Sequence, residues 1–90
     1  MRFKFHTLSA AFYVIDTEAM TWERHTPQPQ TLEYVIGLSE AKGELSDEPV
    51  IHIGRSCIIP IWVVEDDIKF GTFIRTTPVQ RIELLDADPE

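Results

Sequence analysis

The sequence predicts an all-β fold, either a small antiparallel barrel or a compact sandwich of about seven short strands, with little or no helix. In several stretches, aromatic and β-branched residues alternate with polar ones, which is the period of two expected of a strand with one buried face. Turn-forming residues separate these stretches at short intervals. We prefer the barrel, and we expect residues 1–85 to form a single β-domain followed by a flexible acidic tail at 86–90.

The N-terminal part of the chain predicts three strands, at residues 2–6, 12–15 and 20–24. The first strand has Phe3 and Phe5 on one face. The second and third form a hairpin, whose turn Asp16 opens through its own side chain. In the third strand Met20 and Trp22 face inward, and the polar residues between and after them face solvent.

The middle of the chain predicts a connector, a fourth strand and a loop. Two prolines within residues 26–30 favour an extended connector, because proline cannot donate to a ladder. Residues 31–38 alternate regularly between apolar and other side chains and predict a strand. The polar stretch 39–48 is predicted to be a long loop with at most one helical turn capped by Ser39, since Gly43 follows too soon for a longer helix.

The longest apolar run, residues 49–64, is rich in β-branched residues and predicts two strands. We interpret the glycine and arginine at residues 54–55 as a two-residue type II′ turn, which places Ile51 opposite Ile58. Both faces of this hairpin are apolar, so we expect it to be covered on both sides or bent across a closed barrel. Pro60 favours a kink that changes which side chains point inward.

The C-terminal part predicts a turn at residues 65–67 and two further strands. Residues 69–76 form the first of them, in which Gly71 marks a bulge or a site of close approach. Pro78 ends this strand, because its ring and missing N–H disfavour a continued ladder. Residues 79–85 form the last strand.

The composition is that of a globular domain with an acidic surface. The chain has 90 residues, 43% of them hydrophobic and 26% charged, and a net charge of −7. Eight basic against fifteen acidic residues argue against direct binding of nucleic acid, since a phosphate backbone is bound by positive surface. No apolar run approaches the ~20 residues of a membrane helix, so no membrane contact is predicted. The single cysteine fits the reducing cytoplasm.

The sequence shows no constellation of catalytic or metal-binding residues. A structural zinc site needs four nitrogen or sulfur ligands, and the chain has four such residues without metal-binding spacing: His6, His25, His52 and Cys57. Cys57 lies in an apolar strand, where burial raises the pKa of the thiol and suppresses the thiolate. We therefore predict a protein that is not an enzyme and uses no cofactor.

Aromatic residues and arginines supply much of the binding energy at protein interfaces. The partner-binding candidates on this criterion are Tyr13, Trp22, Arg24, Arg55 and Trp62. For each of them, the alternative is a place in the core or on an ordinary surface.

Three segments in order carry a resemblance to a known group of proteins: TLSAAFYVIDTEAMTWERH, then PVIHIGRSCIIPIW after a variable loop, and finally IRTTPVQRIE. They resemble small proteins of unknown function encoded by bacteriophages of actinobacteria. Those proteins share a threonine-leucine-serine opening, a tyrosine-valine-aspartate hairpin, a glycine turn before an apolar strand with tryptophan, and a threonine-rich strand. The resemblance implies a phage accessory protein made in the host cytoplasm, with no catalytic residues to carry over.

The leading functional hypothesis is a small acidic module that binds one host or phage protein. One alternative is an inhibitor that mimics nucleic acid by presenting clustered carboxylates to a DNA- or RNA-binding protein. Another is a self-assembling structural subunit of the virion, in which the central apolar hairpin buries its second face against a neighbouring copy.

Overall fold

The computed structural model describes residues 1–25 and 42–85 as an antiparallel barrel, closed by pairing of the first strand with the last. The strands are β1 Arg2–Thr7, β2 Phe12–Asp16, β3 Thr21–His25, β4 Lys42–Leu45, β5 Ser56–Glu65 and β6 Ile68–Leu84. They follow one another around the barrel in sequence order. The described residues contain no helix, so the predicted all-β class and the preference for a barrel are confirmed. The predicted connector at 26–30, strand at 31–38, single helical turn after Ser39 and tail at 86–90 lie outside the described residues.

The interior of the barrel is filled by the side chains that alternate inward along each strand. Phe5 of β1 and Tyr13 of β2 stack with ring centroids 5.1 Å apart. Full burial of one such apolar side chain stabilises the fold by about 1.5–3 kcal/mol relative to leaving it exposed. The buried apolar residues are Phe5, Ala11, Tyr13, Ile15, Trp22, Leu45, Cys57, Ile59, Ile61, Ile74 and Val79.

The β2–β3 hairpin forms as the sequence predicts. The Asp16 carboxylate accepts hydrogen bonds from the backbone amides of Glu18 and Ala19, both at 3.0 Å. These bonds, first of all the one from Ala19, lower the pKa of Asp16 from its ordinary value. Met20 is partly buried and Trp22 fully buried, which confirms the predicted inward face.

The prediction of a loop over residues 39–48 is wrong at residues 42–45, because Lys42–Leu45 form β4 between β3 and β5. Gly43 does not interrupt regular secondary structure, since it lies inside this strand. It pairs with Trp22 of β3, and a Cβ at Gly43 would lie 2.9 Å from the Trp22 Nε1 atom. The strand therefore has glycine at this position because a large indole on the neighbouring strand takes up the space.

The predicted hairpin around residues 54–55 is also wrong. Gly54 has the positive φ that was expected, at 90°, but no strand precedes it. Ile53 makes a single parallel bridge to Val79, and β5 begins only at Ser56. Ile58 consequently pairs with β6 and not with the segment before the turn, because β6 supplies a longer ladder.

Both prolines predicted to disturb strands lie inside continuous ones. Pro60 introduces no change of face, since Ile59 and Ile61 on either side of it are both buried. Its carbonyl accepts the amide of Ser46, which follows the end of β4. The N–H and C=O of an antiparallel residue point to the same side, so the donor that Pro60 lacks would face a place where β4 has already ended.

Pro78 likewise lies within β6, which corrects the prediction that it separates two strands. Its carbonyl accepts the amide of Leu8 in the turn after β1, so its missing N–H faces that turn. The register of β6 shifts close to this point against both neighbours, between Ser56 and Ile58 of β5 and at the end of β1. Such irregularities bend the strand, and they allow the first part of β6 to pair with β5 and its last part to pair with β1.

The β5–β6 hairpin is closed by the acidic turn that the sequence predicts. Asp66 and Asp67 both have positive φ, of 53° and 64°, as a two-residue type I′ turn requires. Gly71 pairs with Trp62 in regular register, so it forms no bulge. It is not a site of close approach either, because a Cβ at Gly71 would lie 3.7 Å from the Trp62 ring, which is an ordinary contact distance.

Candidate functional site

The outward side of the β5–β6 hairpin is a largely apolar surface, which we call the hairpin face. It is built from residues that pair across the two strands and point away from the interior, so that Trp62 lies opposite Gly71 and Ile58 opposite Arg75. Trp62 is 38% exposed, Phe73 49% and Val64 67%. The hairpin face consists of Ile58, Pro60, Trp62, Val64, Lys69, Phe73 and Arg75.

The hairpin has an open edge as well as an open face. β1 pairs with β6 only from Val79 to Leu84. Residues 68–76 of β6 therefore have β5 on one side and no strand of the described part of the chain on the other. Ile68 and Phe70, near the tip, are exposed too. A long strand edge with exposed apolar side chains is a template for pairing with another chain.

The charges of the hairpin face are basic, although the protein as a whole is acidic. The Lys69 ammonium lies 5.0 Å from the centre of the Trp62 ring and 3.5 Å from a Glu44 carboxylate oxygen. A cation over an exposed indole contributes about 0.5–1 kcal/mol. Arg75 is exposed at the other end of the face, and the acids of the hairpin lie in its turn, at residues 65–67.

A pocket of about 310 Å³ lies beside the hairpin face, where β4 and β5 part. The two strands pair only at Glu44 with Trp62 and at Leu45 with Ile61, so the start of β4 diverges from the end of β5. The Trp22 indole N–H is buried and has no hydrogen-bond partner among the described residues. The pocket is lined by Trp22, Lys42, Gly43, Glu44, Trp62, Val63, Val64 and Lys69.

A second pocket, of about 260 Å³, has mostly apolar walls and lies between the start of β1 and the end of β6. Phe3 and Leu84 face each other across the two strands there. The segment before β5 forms the remaining wall through Pro49 and Ile51. No charged side chain lines this pocket.

The structure does not bring the five sequence-predicted binding residues together. Tyr13 and Trp22 lie in the core, which is the alternative that the sequence left open for them. Arg24 is half-buried on β3, and Arg55 is exposed in the turn before β5. Trp62 lies on the hairpin face and meets Trp22 only at the pocket between β4 and β5.

Sequence reasoning missed the other members of the hairpin face. Phe73 and Val64 are predicted from sequence to lie in strands, with no binding role, although the sequence contains a signal that one apolar face is exposed. The strand Ser56–Glu65 is apolar on both faces, and a barrel can bury only one of them. The inward face holds Ile59 and Ile61, which leaves the opposite face exposed.

A second outward surface lies on the other side of the barrel. We call it the polar wall: Lys4, His6, Phe12, His25, Arg81 and Glu83, from strands β1, β2, β3 and β6. His6 Nε2 lies 2.8 Å from a Glu83 carboxylate oxygen and 3.0 Å from an Arg81 nitrogen. One nitrogen cannot donate to Glu83 and accept from Arg81 at once, so these two contacts require different tautomers of the neutral His6 ring. The Arg81–Glu83 ion pair, at 2.9 Å, is compatible with either.

The electrostatics of the polar wall favour the ionised form of Glu83. The hydrogen bond from His6 lowers the pKa of Glu83, and the charges of Lys4 and Arg81 lower it further. The carboxylate is thus held in its ionised form. Elsewhere on the wall, the His25 imidazole stacks on the Phe12 ring, with ring centroids 4.6 Å apart.

The cysteine and the histidines, which are the side chains most often used in nucleophilic catalysis, contact different groups in this structure. Cys57 is buried, its thiol contacts the Val50 carbonyl, and burial raises the pKa of the thiol to about 11. His6 and His25 make their contacts with Glu83 and Glu23 on the barrel surface. Within residues 1–25 and 42–85, no three histidine, cysteine or acidic side chains are grouped as a metal site requires.

Comparison of the chain with protein-family models, with curated proteins and with solved structures finds no match in any of the three. The resemblance to phage proteins therefore stays a prediction from the sequence. The described residues include no helix with the length and hydrophobicity to cross a membrane.

Proposed function

We propose that this protein is a non-enzymatic module that binds another protein through the hairpin face, with Trp62 as the central anchor. In the setting that the sequence resemblance implies, the partner is a host or phage protein in the host cytoplasm. The observation that carries the proposal is the row of exposed apolar side chains along β5, centred on a tryptophan. Tryptophan is enriched among the residues whose truncation costs the most binding energy.

The occupant that fits this surface is an extended segment of the partner that adds to the edge of β6 on which no described strand pairs with residues 68–76. Main-chain hydrogen bonds to residues 68–76 would supply affinity, and the side chains would select the sequence. Lys69 and Arg75 favour acidic side chains on the added strand. The net charge of −7 opposes association with a second copy of the same chain.

The distribution of acidic residues supports protein binding over nucleic-acid mimicry. A mimic needs its carboxylates on one face. In a barrel whose strands run up and down in sequence order, the turn after β2 and the turn after β5 lie at opposite ends. The acids at residues 16–18 and at 65–67 are therefore far from each other, and those of residues 47–48 lie in the connection after β4, at the first of these ends.

The test begins with affinity purification of tagged protein from a host-like bacterial lysate, with identification of each captured protein by mass spectrometry. Each captured protein is then purified, and its affinity is measured for the parent chain, for Trp62→Ala and for Leu84→Ala. Leu84 is the matched control, because it is a large exposed apolar side chain at the opposite end of β6, where it pairs with Phe3 of β1.

We expect Trp62→Ala to weaken the affinity by about 30-fold, which corresponds to about 2 kcal/mol, and Leu84→Ala to leave it unchanged. Equal effects of the two variants would overturn the proposal for the hairpin face. Recovery of the bait alone, with light scattering showing a concentration-dependent oligomer, would replace it by self-assembly.

A further inference from the structure

Trp22 forms part of the wall of the pocket between β4 and β5, and its buried indole N–H has no hydrogen-bond partner among the described residues. Trp22 is 2% exposed, and its indole N–H can only donate. The two buried threonines of the described part are both hydrogen-bonded: Thr7 donates to the Ala11 carbonyl, and Thr76 accepts the Cys57 amide. An unsatisfied buried donor is destabilising, so an acceptor at this position would be stabilising.

The residue that faces this donor on β4 is a glycine. Gly43 faces the indole across the β3–β4 pair, and any side chain there would collide with Nε1. β4 and β5 stop pairing just beside it, which opens the pocket toward solvent. The volume of about 310 Å³ lies at the small end of the range for ligand sites, and the mouth of a barrel is a common place for such a site.

The walls of the pocket specify the chemistry of the acceptor. Trp62 and Val63 offer apolar surface. The charged residues that line the pocket are two lysines, Lys42 and Lys69, and one glutamate, Glu44. Since Glu44 is 3.5 Å from Lys69, it offsets one of the two positive charges and leaves a basic excess. An anion with an apolar body matches these walls better than a neutral polar molecule does.

We propose that the pocket binds a small organic carboxylate, with one oxygen accepting the Trp22 indole N–H and the apolar body lying against Trp62 and Val63. Lys42 and Lys69 contribute electrostatic attraction. This site is separate from the protein-binding role of the hairpin face, although Trp62 borders both.

The test uses nuclear magnetic resonance of the full ¹⁵N-labelled chain with benzoate as the probe. The sequence holds two tryptophans, so the spectrum has two indole N–H resonances, and Trp62→Phe assigns the one that remains to Trp22. Benzoate is titrated at constant ionic strength, and benzamide, which has the same shape without the charge, is the control ligand.

We expect a saturable shift of the Trp22 indole resonance with benzoate and a much smaller one with benzamide. Equal responses to the two ligands would overturn the assignment to a carboxylate. A Trp22 indole proton that exchanges slowly with water and does not respond to benzoate would show that another acceptor already satisfies it, which would overturn the site.

Variants of the exposed lysines test the charge without touching the core. We expect Lys42→Gln to weaken benzoate binding by up to about fivefold, as the loss of one exposed ion pair implies. Arg55→Gln, which removes a positive charge outside the pocket, is the matched control and should leave binding unchanged. Equal weakening by both would reduce the interaction to the overall charge of the protein and overturn the site. Neither outcome depends on a protein partner, so failure here leaves the hairpin face untouched.

Discussion

The hairpin face and the polar wall belong to the same barrel, but the first exposes mostly apolar side chains to solvent and the second mostly charged and polar ones. On the polar wall, the Phe12 ring is covered by the Lys4 ammonium, 4.9 Å from its centre, and by the stacked His25 ring. On the hairpin face, Trp62 has Lys69 as a polar neighbour and aliphatic side chains along its own strand.

The two surfaces also differ in what lies beside their strands. β1 and β2 each have a paired strand on both sides, whereas residues 68–76 of β6 have one on one side only within the described part of the chain. The comparison teaches that exposed apolar surface and unpaired backbone coincide on the hairpin, which is the combination that a partner strand can use.

The largest expected effect tests the division of β5 into an inward and an outward face. Ile61→Ala should lower the free energy of unfolding by about 2–5 kcal/mol, because it leaves a cavity in the core. Ile58→Ala, the same substitution on the outward face three residues away, should cost less than about 1 kcal/mol. Urea denaturation of both variants measures the difference, and similar losses would show that the hairpin face is not solvent-exposed.

The next effect concerns the thiol on the inward face of β5. Because burial raises the pKa of Cys57 to about 11 against an ordinary 9.0, its thiolate at pH 8 is about a hundredfold scarcer than that of an exposed cysteine. We expect labelling by a disulfide reagent at pH 8 to be slower by at least that factor in the folded protein than in urea.

A matched variant moves the thiol to the other face of the same strand. Cys57→Ser combined with Ile58→Cys places it on the hairpin face, where labelling should approach the rate seen in urea. Equal protection of the two positions would contradict the assignment of faces.

A smaller effect distinguishes the two glycines that lie under tryptophans. Gly43→Ala should destabilise the protein by about 1–3 kcal/mol, since the new methyl group would lie 2.9 Å from Trp22 Nε1 and the indole is fixed in the core. Gly71→Ala is the control, because its Cβ would meet Trp62 at an ordinary contact distance of 3.7 Å. We expect it to change the free energy of unfolding by less than about 0.5 kcal/mol. Thermal or urea unfolding measures both, and a reversed order would show that the indole of Trp22 is free to move.

The smallest effect lies on the polar wall and is a change of pKa. His6→Ala should raise the pKa of Glu83 toward its ordinary value, with Lys4 and Arg81 still holding it somewhat low. Carbon-13 resonances of the carboxyl group, followed over pH 2–7, measure it. His25→Ala is the control, because His25 hydrogen-bonds Glu23 instead, and an equal shift in that variant would contradict the His6–Glu83 hydrogen bond.

The sign of the associated stability change follows from the direction of the shift. Folding lowers the pKa of Glu83, so its ionised form is favoured in the folded state. The contribution to stability is present above the unfolded pKa and is lost as the pH falls through the folded pKa. His6→Ala should therefore reduce the acid-side dependence of stability and leave the alkaline side unchanged.

The sequence by itself determined the elements whose signals are local. The inward face of β3 and the turn opened by Asp16 follow from alternation and from a side chain that caps its own turn. The acidic turn of the β5–β6 hairpin and the burial of Cys57 follow in the same way. In each of these cases, the interactions that determine the structure are made by residues that are close together in the sequence.

Tertiary structure decided the features that depend on which strands become neighbours. From sequence alone, Gly43 is predicted to end a helical turn, but it lies in β4 opposite Trp22. Pro60 is predicted to kink its strand, but it fits into β5 because β4 ends beside it. The apolar run of β5 predicts strand but cannot say which face a barrel will bury. That choice rests on how the β5–β6 hairpin joins β1 and β4, which are contacts between distant parts of the chain that no local pattern encodes, and this joining leaves Trp62 on the outside.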